Sequence, residues 1–385
     1  MREIYADHAA TTPPAPGVAE AMRPFLDGAF GNASSVHRRG EAARDAIEAA
    51  RAEVAALFGA APEEVVFTAS GSEANNLAVL GVLETAKAPR RRLVTSAIEH
   101  PSVIETARHA EAAGFPVTWV PVGEGGIVDL GCLEEAMGDD VALVSLMRVN
   151  NEVGTIQPVA EAAALAHACG ALFHSDAVQA AGKLPLDVSA CGADLMTIAA
   201  HKFAGPPGAG ALYVRRRVRL TPRIHGGHQE RGRRAGTENL PAIVGMGVAA
   251  RMAAAGCDRA EALGARLAPA LPAAVPGCRL NGDPARRAGS IVNLCFEGVD
   301  GEALLHALDR EGIVVSTGSA CSAAAPGPSH VLIAMGLSAE DAHASVRFSF
   351  GRGNRAADVD RILSVVPEVV RRLRALNAPE VGKGA

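Results

Sequence analysis

The sequence has few aromatic residues, and its cysteines lie too far apart to form a local metal knuckle. Its 385 residues include one Trp, two Tyr and ten Phe. The closest two of its seven cysteines, Cys278 and Cys295, are 17 residues apart. This spacing excludes a C-x-x-C zinc or iron–sulfur knuckle. An odd number of cysteines argues against a disulfide framework, so we expect free thiols in a reducing compartment, the cytoplasm.

Long apolar runs and an excess of basic charge are also lacking. The first residues reach Pro13 without an apolar core, so we expect no signal peptide. The longest weakly polar stretch, 240–250, is far shorter than the roughly 20 residues of a membrane span. Basic side chains number 37 against 42 acidic ones, a net charge of −5. Because nucleic-acid binders are usually basic, we expect neither a nucleic acid nor a membrane as partner.

Two kinds of apolar periodicity alternate along the first 250 residues. Residues 40–58 carry one apolar stripe at helical spacing, and Gly59 follows. Short apolar runs typical of strands buried on both faces lie at 65–68, 117–120, 141–149, 171–173, 195–199 and 211–214. Helical patterns separate several of them, at 73–87, 101–113 and 158–169. The alternation predicts an α/β fold with a largely parallel sheet.

The pattern changes after Gly256. A helical run reaches Leu271, and further elements are expected at 291–296, 301–311, 313–315, 345–350 and 357–376. This part indicates a smaller α+β unit. We therefore predict a large domain over 12–258 and a small domain made of 1–11 and 259–385.

Glycine-rich turns raise the question of a nucleotide site. The segment GPPGAG at 205–210 leads into a strand, whereas a dinucleotide fingerprint opens a helix. The turn Ser70-Gly71-Ser72 fits better, because it joins a predicted strand to a predicted helix whose first amides can hold a phosphate. A structural role for Ser72 as a helix cap is the alternative.

Two charged residues follow neighbouring predicted strands. HSDAVQ places Asp176 and Gln179 at the carboxyl edge of the sheet, and the strand at 195–199 leads into His201 and Lys202. Pyridoxal phosphate needs a lysine for its Schiff base and a carboxylate on its ring nitrogen. The pattern is typical of that cofactor, although each residue alone could be an ordinary surface charge.

At this point the residues match a family. The sequence resembles the cysteine desulfurases of the NifS/IscS type, which are fold-type I pyridoxal-phosphate enzymes of the class V aminotransferase group. The matching motifs, in order, are YADHAATTP, GNASSVHRRG, SGSEANN, the Glu-His pair at 99–100, NNEVG, HSDAVQ, HK, RRAGTENLP, SACSAAAPGPSHVL and VRFSFGR. The resemblance implies a large domain with a mainly parallel seven-stranded sheet flanked by helices, a smaller α+β domain, and a homodimer.

The resemblance also implies roles for individual residues. Lys202 would bind pyridoxal 5'-phosphate, Asp176 would pair with its ring nitrogen, Gln179 with its phenolic oxygen, and His100 would cover the ring and move protons. The phosphate would be held by Gly71, Ser72 and His201, and by Thr237 of the other subunit. Asn151 would lie near the ring and the substrate, and Arg347 would hold the substrate carboxylate through its planar fork. Taken alone, a histidine followed by Pro101 is more often a residue that starts a helix and has no ligand role.

Cys321 is the residue to which the resemblance assigns the sulfur. It lies among small residues, Gly and Pro, in a segment typical of a surface loop at about 316–330. The thiolate would attack the sulfur of L-cysteine, leaving L-alanine and a persulfide for an iron–sulfur scaffold protein or another acceptor, nitrogenase assembly included. We expect no metal ligands, apart from Cys321 as a transient iron–sulfur ligand.

The sequence departs from the family pattern at a few positions. Ala199 stands where a serine hydroxyl usually reaches the phosphate, Pro207 and Ala33 replace Lys and Pro, and Pro326-Gly327 replaces Leu-Glu in the loop. Two other functions stay open. One is a selenocysteine lyase or related class V aminotransferase, and the other is a non-catalytic scaffold that binds sulfur carriers.

Overall fold

A computed structural model describes residues 2–254, 258–317 and 327–377. Cys257 and Cys321 lie outside these ranges, as does most of the predicted loop at 316–330. The strands are β1 Ile4–Tyr5, β2 Val65–Thr68, β3 Arg92–Ser96, β4 Val117–Val120, β5 Val141–Ser145, β6 Leu172–Asp176, β7 Leu195–Ala199, β8 Gly210–Val214, β9 Cys278–Asn281, β10 Ile291–Phe296, β11 Ile313–Val314 and β12 Ser345–Ser349. The helices are α1 Val18–Asp27, α2 Arg38–Phe58, α3 Gly71–Thr85, α4 Pro101–Ala112, α5 Leu130–Glu135, α6 Val159–Ala168, α7 Leu240–Ala253, α8 Asp258–Ala274, α9 Gly301–Arg310, α10 His330–Ala334, α11 Ala339–His343 and α12 Ala356–Asn377.

Seven strands form the central sheet in the order β2-β8-β7-β6-β5-β3-β4. The strands from β7 to β4 run parallel to one another, and β8 runs antiparallel to both of its neighbours, β2 and β7. Helices lie on both faces. The predicted α/β fold with a mainly parallel sheet is confirmed.

On several strands of this sheet, alternate residues enter two different hydrophobic clusters. Met196 and Ile198 pack in the cluster that contains α2 and α7, whereas Leu195 packs in the cluster with α3 and α4. The same alternation separates Tyr213 from Leu212 on β8. Burial on both faces explains why these strands are continuous apolar runs, the feature that made them visible in the sequence.

Several strands differ from the sequence-based expectation. Strands β1 and β9 were not predicted, and β6 extends to Asp176, beyond the expected 171–173. The strand expected at 141–149 ends at Ser145. Strand β3 was not predicted at all, because Arg92, Thr95 and Ser96 interrupt its apolar run. Tertiary bonds satisfy these polar groups: the Arg92 guanidinium forms a two-point ion pair with Asp140, with both N–O distances 2.8 Å.

The C-terminal third has its own hydrophobic cluster. Strands β9, β10 and β12 form an antiparallel sheet, and α8, α9 and α12 pack with it. Ile4 and Ala6 from the N-terminus belong to this cluster, and β1 pairs in parallel with β11. We propose the domain division 12–258 and 1–11 with 259–385 on this basis. No helix in the described part of the chain is both long and apolar enough to cross a membrane.

The cysteines that the structure describes are free thiols, and their burial varies. Cys191, Cys278 and Cys295 are buried, and Cys132 and Cys169 are half-buried. Burial raises the pKa of Cys278 to about 12 and that of Cys295 to about 11. Both therefore stay protonated near neutral pH and act as packing residues.

Candidate active site

The predicted cofactor residues lie at the carboxyl edge of the central sheet. Asp176 is the last residue of β6, and β7 ends at Ala199, where a short 3-10 turn carries the chain through Lys202. Because β6 and β7 are parallel neighbours, both ends meet at one edge. The fold thus brings the lysine and the aspartate to the same place, as the sequence predicted.

Asp176 is buried and held by two hydrogen bonds. The side-chain amide of Asn75 donates to Oδ2 at 2.7 Å, and the backbone N–H of Val178 donates to Oδ1 at 2.9 Å. Asn75 lies on α3 and is 1% exposed, and its Oδ1 has no partner among the described residues. The sequence analysis missed Asn75, although it quoted the SGSEANN motif that contains it.

His100 is the N-cap residue of α4. Its Nδ1 accepts the backbone N–H of Ser102 at 3.1 Å and lies 2.7 Å from the Ser102 hydroxyl. Burial lowers the pKa of His100, the charge of Lys202 lowers it further, and Asp176 opposes both. The helix-starting role of His100 is therefore present, and it leaves the ring beside Asp176 and Lys202 as well.

Lys202 and Gln179 meet at one carbonyl oxygen. The Lys202 ammonium donates to the carbonyls of Ala9 and Ala10 at 2.6 and 2.7 Å, and the Gln179 amide donates to Ala9 at 2.8 Å. Lys183 in turn donates to Gln179 Oε1 at 3.2 Å. The N-terminal segment therefore forms one wall of the site, which explains the place of YADHAATTP among the motifs.

His201 precedes Lys202 and is tied to the same segment. Its Nδ1 lies 3.1 Å from the Thr11 hydroxyl, and its carbonyl accepts bonds from both the backbone and the hydroxyl of Thr12. Burial lowers the pKa of His201 to about 4, with smaller contributions from the charges of Lys202 and His100. The ring is thus neutral at physiological pH, and it can act as a hydrogen-bond donor to an anion.

The first turn of α3 presents the predicted phosphate site. The cap is Ser70, whose hydroxyl accepts from the Glu73 amide, so the suggestion that Ser72 caps the helix was wrong. Ser72 is exposed. A Cβ on Gly71 would lie 2.9 Å from Val178 Cγ2 and 3.3 Å from the Ala199 Cβ. Only glycine allows this close approach of the helix to the ends of β6 and β7.

These features fit pyridoxal phosphate. The amides of Gly71 and Ser72 have no carbonyl one turn before them in α3, so they can bind a phosphate. Lys202 and the buried Asp176 supply the amine and the carboxylate that this cofactor requires. Ala199 adds only a methyl group beside Gly71, so the serine hydroxyl usual at its position is missing here.

Arg347 lies in β12 with its side chain buried. Nη2 donates to Asp7 Oδ1 at 2.8 Å, and Nη1 donates to the carbonyl of Asn151 at 2.8 Å. The Nε–H finds no acceptor in the described ranges. Arg347, Asn151 and the Asp7 to Ala10 segment therefore lie together. An arginine fork at this place can hold a carboxylate by two parallel bonds.

Two buried carboxyl groups near the site were not assigned a role from the sequence. Glu99 accepts bonds from the Ser96 hydroxyl at 2.6 Å and from the Met147 amide at 2.9 Å, and burial raises its pKa to about 8. Glu152 accepts from the Ser329 hydroxyl at 2.5 Å, and burial raises its pKa too. The signal was present, since both lie inside quoted motifs, but periodicity does not tell a buried acid from an exposed one.

The segment around Thr237 is fixed by ion pairs. Thr237 itself is exposed. Glu230, in the same segment, has φ of 48° and forms a two-point pair with Arg51, at 2.7 and 2.8 Å. Arg234 donates to Glu73 at 2.8 Å, which ties the segment to the first turn of α3. Thr237 thus stands on a rigidly held surface segment, away from its own chain's core.

Comparison with known proteins agrees with this architecture. The model of the family described as Aminotransferase class-V matches residues 4–362. A relative named cysteine desulfurase IscS, from Methanosarcina thermophila, is 43% identical, and the match covers 98% of this chain and 94% of that protein. A solved structure titled NIFS-LIKE PROTEIN superposes with a TM-score of 0.90 at 35% identity, covering 96% of this chain and all of that one. Another, titled SspA in complex with cysteine, gives a TM-score of 0.82 at 36% identity and covers 90% and 98% of the two chains.

The match runs through every element that builds the site, from β1 to the start of α12. The similarity in sequence spans nearly the full length of both chains, and the similarity in structure includes the seven-stranded sheet. The chain therefore belongs to the aminotransferase class-V family, among the cysteine desulfurases of the IscS and NifS type.

Proposed function

We propose that this protein is a pyridoxal-phosphate-dependent cysteine desulfurase, which takes sulfur from L-cysteine, releases L-alanine and holds the sulfur as a persulfide on Cys321. The observation that carries the proposal is the contact of one short segment with two functional groups. Residues 7–10 bind Lys202 through the carbonyls of Ala9 and Ala10, and bind Arg347 through the carboxylate of Asp7. An amine and a carboxylate clamp thus lie on the same wall, as an amino-acid substrate requires.

Different residues would hold different parts of the cofactor. Lys202 would bind it covalently, Asp176 would pair with its ring nitrogen, and Gln179 with its phenolic oxygen. The phosphate ligands would be Gly71, Ser72, His201 and, from a second copy of the chain, Thr237. Bound there, pyridoxal phosphate supplies an electron sink that stabilises negative charge at the substrate's α-carbon.

The remaining steps belong to the protein's own side chains. Arg347 and Asn151 bind the substrate near its carboxylate, and the amine of Lys202 takes the α-proton and returns it to the α-carbon when alanine forms. The Cys321 thiolate attacks the substrate sulfur: an S–S bond forms, the C–S bond breaks, and its electron pair stays with the carbon, which takes up a proton to become the methyl group of alanine. The proton that Cys321 lost on ionisation balances the one taken up by carbon.

We further propose a cytoplasmic homodimer that passes the persulfide sulfur to an iron–sulfur scaffold protein or a similar acceptor. The exposed position of Thr237, on a segment held by Arg51 and tied to Glu73 through Arg234, supports a contact between subunits. A residue that serves the neighbouring subunit must be presented on a fixed surface, and this segment has that property. The five cysteines that the structure describes are free thiols, which supports a reducing compartment.

The decisive experiment measures alanine and sulfide released from L-cysteine, with mass spectrometry locating the persulfide. We expect Cys321→Ala to lose persulfide and desulfurase activity while it keeps the cofactor's absorption. Cys132→Ala is the matched control, since it removes a half-buried thiol on α5, and it should behave as the wild type.

Three results would overturn the proposal. Full desulfurase activity in Cys321→Ala would exclude Cys321 as the nucleophile. Cleavage of selenocysteine but not of cysteine by the wild type would identify a selenocysteine lyase. A colourless wild-type protein, without a borohydride-reducible adduct at Lys202, would favour the non-catalytic scaffold.

A further inference from the structure

The contacts of His100 decide which of its ring nitrogens carries the proton. Its Nδ1 faces the backbone N–H of Ser102 at 3.1 Å. A backbone N–H can only donate, so Nδ1 must offer its lone pair. In a neutral imidazole the other nitrogen then carries the hydrogen, which makes Nε2 the donor, on the ring edge away from Ser102.

The hydroxyl of Ser102 also makes Nδ1 of His100 an acceptor. Its Oγ accepts from the side-chain amide of Asn75 at 2.9 Å, and the same Oγ lies 2.7 Å from His100 Nδ1. Because Nδ1 already accepts from the backbone N–H and carries no hydrogen, the Ser102 O–H is the donor in this contact. Nδ1 of His100 therefore accepts from two groups of Ser102, its backbone N–H and its hydroxyl.

Asp176 sets the orientation of the Asn75 side-chain amide, and thereby the direction of these hydrogen bonds. The carboxylate accepts from Asn75 Nδ2 at 2.7 Å, and an ionised carboxylate only accepts. This contact requires the NH2 group of Asn75 to face Asp176, and the second hydrogen of that NH2 goes to Ser102. A one-way chain of hydrogen bonds thus runs from Asn75 to Asp176 on one side and, through Ser102, to His100 on the other.

We propose that Asn75 and Ser102 are positioning residues that hold His100 neutral with its proton on Nε2, so that His100 acts as a hydrogen-bond donor and not as the base of the reaction. The inference rests on the proposed function and assigns the role of base to Lys202. An imidazole whose only lone pair is bound by Ser102 has no free nitrogen with which to take a proton from the substrate.

Burial is the main factor that lowers the pKa of His100, and the charged groups around the ring act in both directions. Lys202 and His330 act against its protonation, and Asp176 acts for it. His201 is also near enough to interact with His100. Burial opposes the charged form because it removes the ring from water, and the backbone N–H of Ser102 faces Nδ1 with a donor.

Side-chain ¹⁵N spectra of the holoenzyme test the proposal directly. The His100 signals are assigned by their loss in His100→Asn. We expect a protonated Nε2 and an unprotonated Nδ1 between pH 6 and 8. In Ser102→Ala the ring should titrate about half to one pH unit higher, since one neutral hydrogen bond has that weight, and the acid limb of kcat/KM should move by the same amount.

Two variants separate positioning from a general structural effect. Ser102→Thr keeps a hydroxyl and should restore the wild-type spectrum and pH profile. Thr106→Val removes a different hydroxyl of α4, which donates to the Ser102 carbonyl and is not bonded to His100. It should leave the spectrum and the pH profile unchanged. A protonated Nδ1 in the wild type, or an unaltered His100 titration in folded Ser102→Ala, would overturn the proposal. The spectra need no turnover, so a wild type that shows the Nε2–H ring but releases no alanine would overturn the proposed function alone.

Discussion

Arg347 and Asp7 form an ion pair inside the protein, with 2.8 Å between Nη2 and Oδ1, although 340 positions separate them in the chain. The Arg347 side chain is 3% exposed. The pair joins β12 to the N-terminal segment that also binds Lys202. It keeps the charged fork in place before a substrate carboxylate arrives, which limits the reorganisation that binding requires.

Replacing Arg347 by lysine should weaken substrate binding. A lysine keeps the charge but loses the planar fork, so one charged hydrogen bond, worth about 1.5–3 kcal/mol, is lost. We expect KM for L-cysteine to rise about 10- to 100-fold, as measured by steady-state alanine release. Arg279→Lys, on β9 of the same sheet and paired with Asp341 at the surface, is the control. An unchanged KM in Arg347→Lys would contradict the assignment of the carboxylate clamp.

Gly71→Ala should lower cofactor affinity. The added Cβ would lie 2.9 Å from Val178 Cγ2, so the first turn of α3 would have to move away from the sheet edge. Titration of the apoprotein with pyridoxal phosphate, followed by absorbance, measures the effect. The double variant Gly71→Ala with Val178→Ala should recover part of the affinity, because it removes the clash.

A matched control for this change is Gly123→Ala. Nothing lies within 4 Å of a Cβ at that position, so the affinity of this variant for pyridoxal phosphate should equal that of the wild type. Equal affinities for all three variants would show that the close approach at Gly71 does not shape the cofactor site.

The buried carboxyl of Glu99 predicts a pH effect on stability. Its pKa is about 8 in the folded protein against 4.5 for an ordinary glutamate. Between these values the folded state binds more protons than the unfolded state, so Glu99 makes the free energy of unfolding fall as pH rises from about 4.5 to 8. Glu99→Gln removes this contribution to the pH dependence of the free energy of unfolding, because glutamine does not titrate.

Urea unfolding of wild type and Glu99→Gln at pH 5, 6.5 and 8 measures the difference. We expect the free energy of unfolding of the variant, relative to the wild type, to increase steadily over this series. Glu297→Gln is a surface comparison, since Glu297 is exposed, and should show no such trend. A gap that is constant with pH would mean that Glu99 is ionised in the folded protein.

The pair of Arg51 and Glu230 predicts strong coupling between two substitutions. Both side chains are buried, and Glu230 also accepts the backbone N–H of Phe67 at 2.8 Å. Arg51→Met leaves an unpaired buried carboxylate and should destabilise the protein by about 3–5 kcal/mol. The double variant Arg51→Met with Glu230→Gln should lose less stability than the sum of the losses in the two single variants.

Cofactor titration of the same variants checks the link to the Thr237 segment. If Arg51 holds that segment in place for the neighbouring subunit, a folded double variant should still bind pyridoxal phosphate more weakly than the wild type. A double variant whose loss of stability equals the sum of the losses in the two single variants would exclude the coupling.

Much of the fold followed from the spacing of apolar residues. Strands β2, β4 and β7 were predicted with their observed ends, because each is a short, mainly apolar run; β2 and β7 are also buried throughout. Strand β3 was missed because Arg92 and Thr95 make its run polar, and their partners, Asp140 and the Ser145 carbonyl, lie about 50 residues away. A local pattern carries no information about such partners.

The sequence by itself placed Asp176 and Lys202 after neighbouring strands, and this position in a parallel sheet is enough to bring them to one edge. It also singled out Gly71, His100 and Arg347 through the family motifs. Only the tertiary structure decided how these groups are held, because the bonds that orient them join residues far apart in the chain. Asn75 reaches Asp176 across 101 positions and Ser102 across 27. Hydrophobic spacing reports which side chains are buried, but the direction of a hydrogen bond is fixed only when both partners have been brought together.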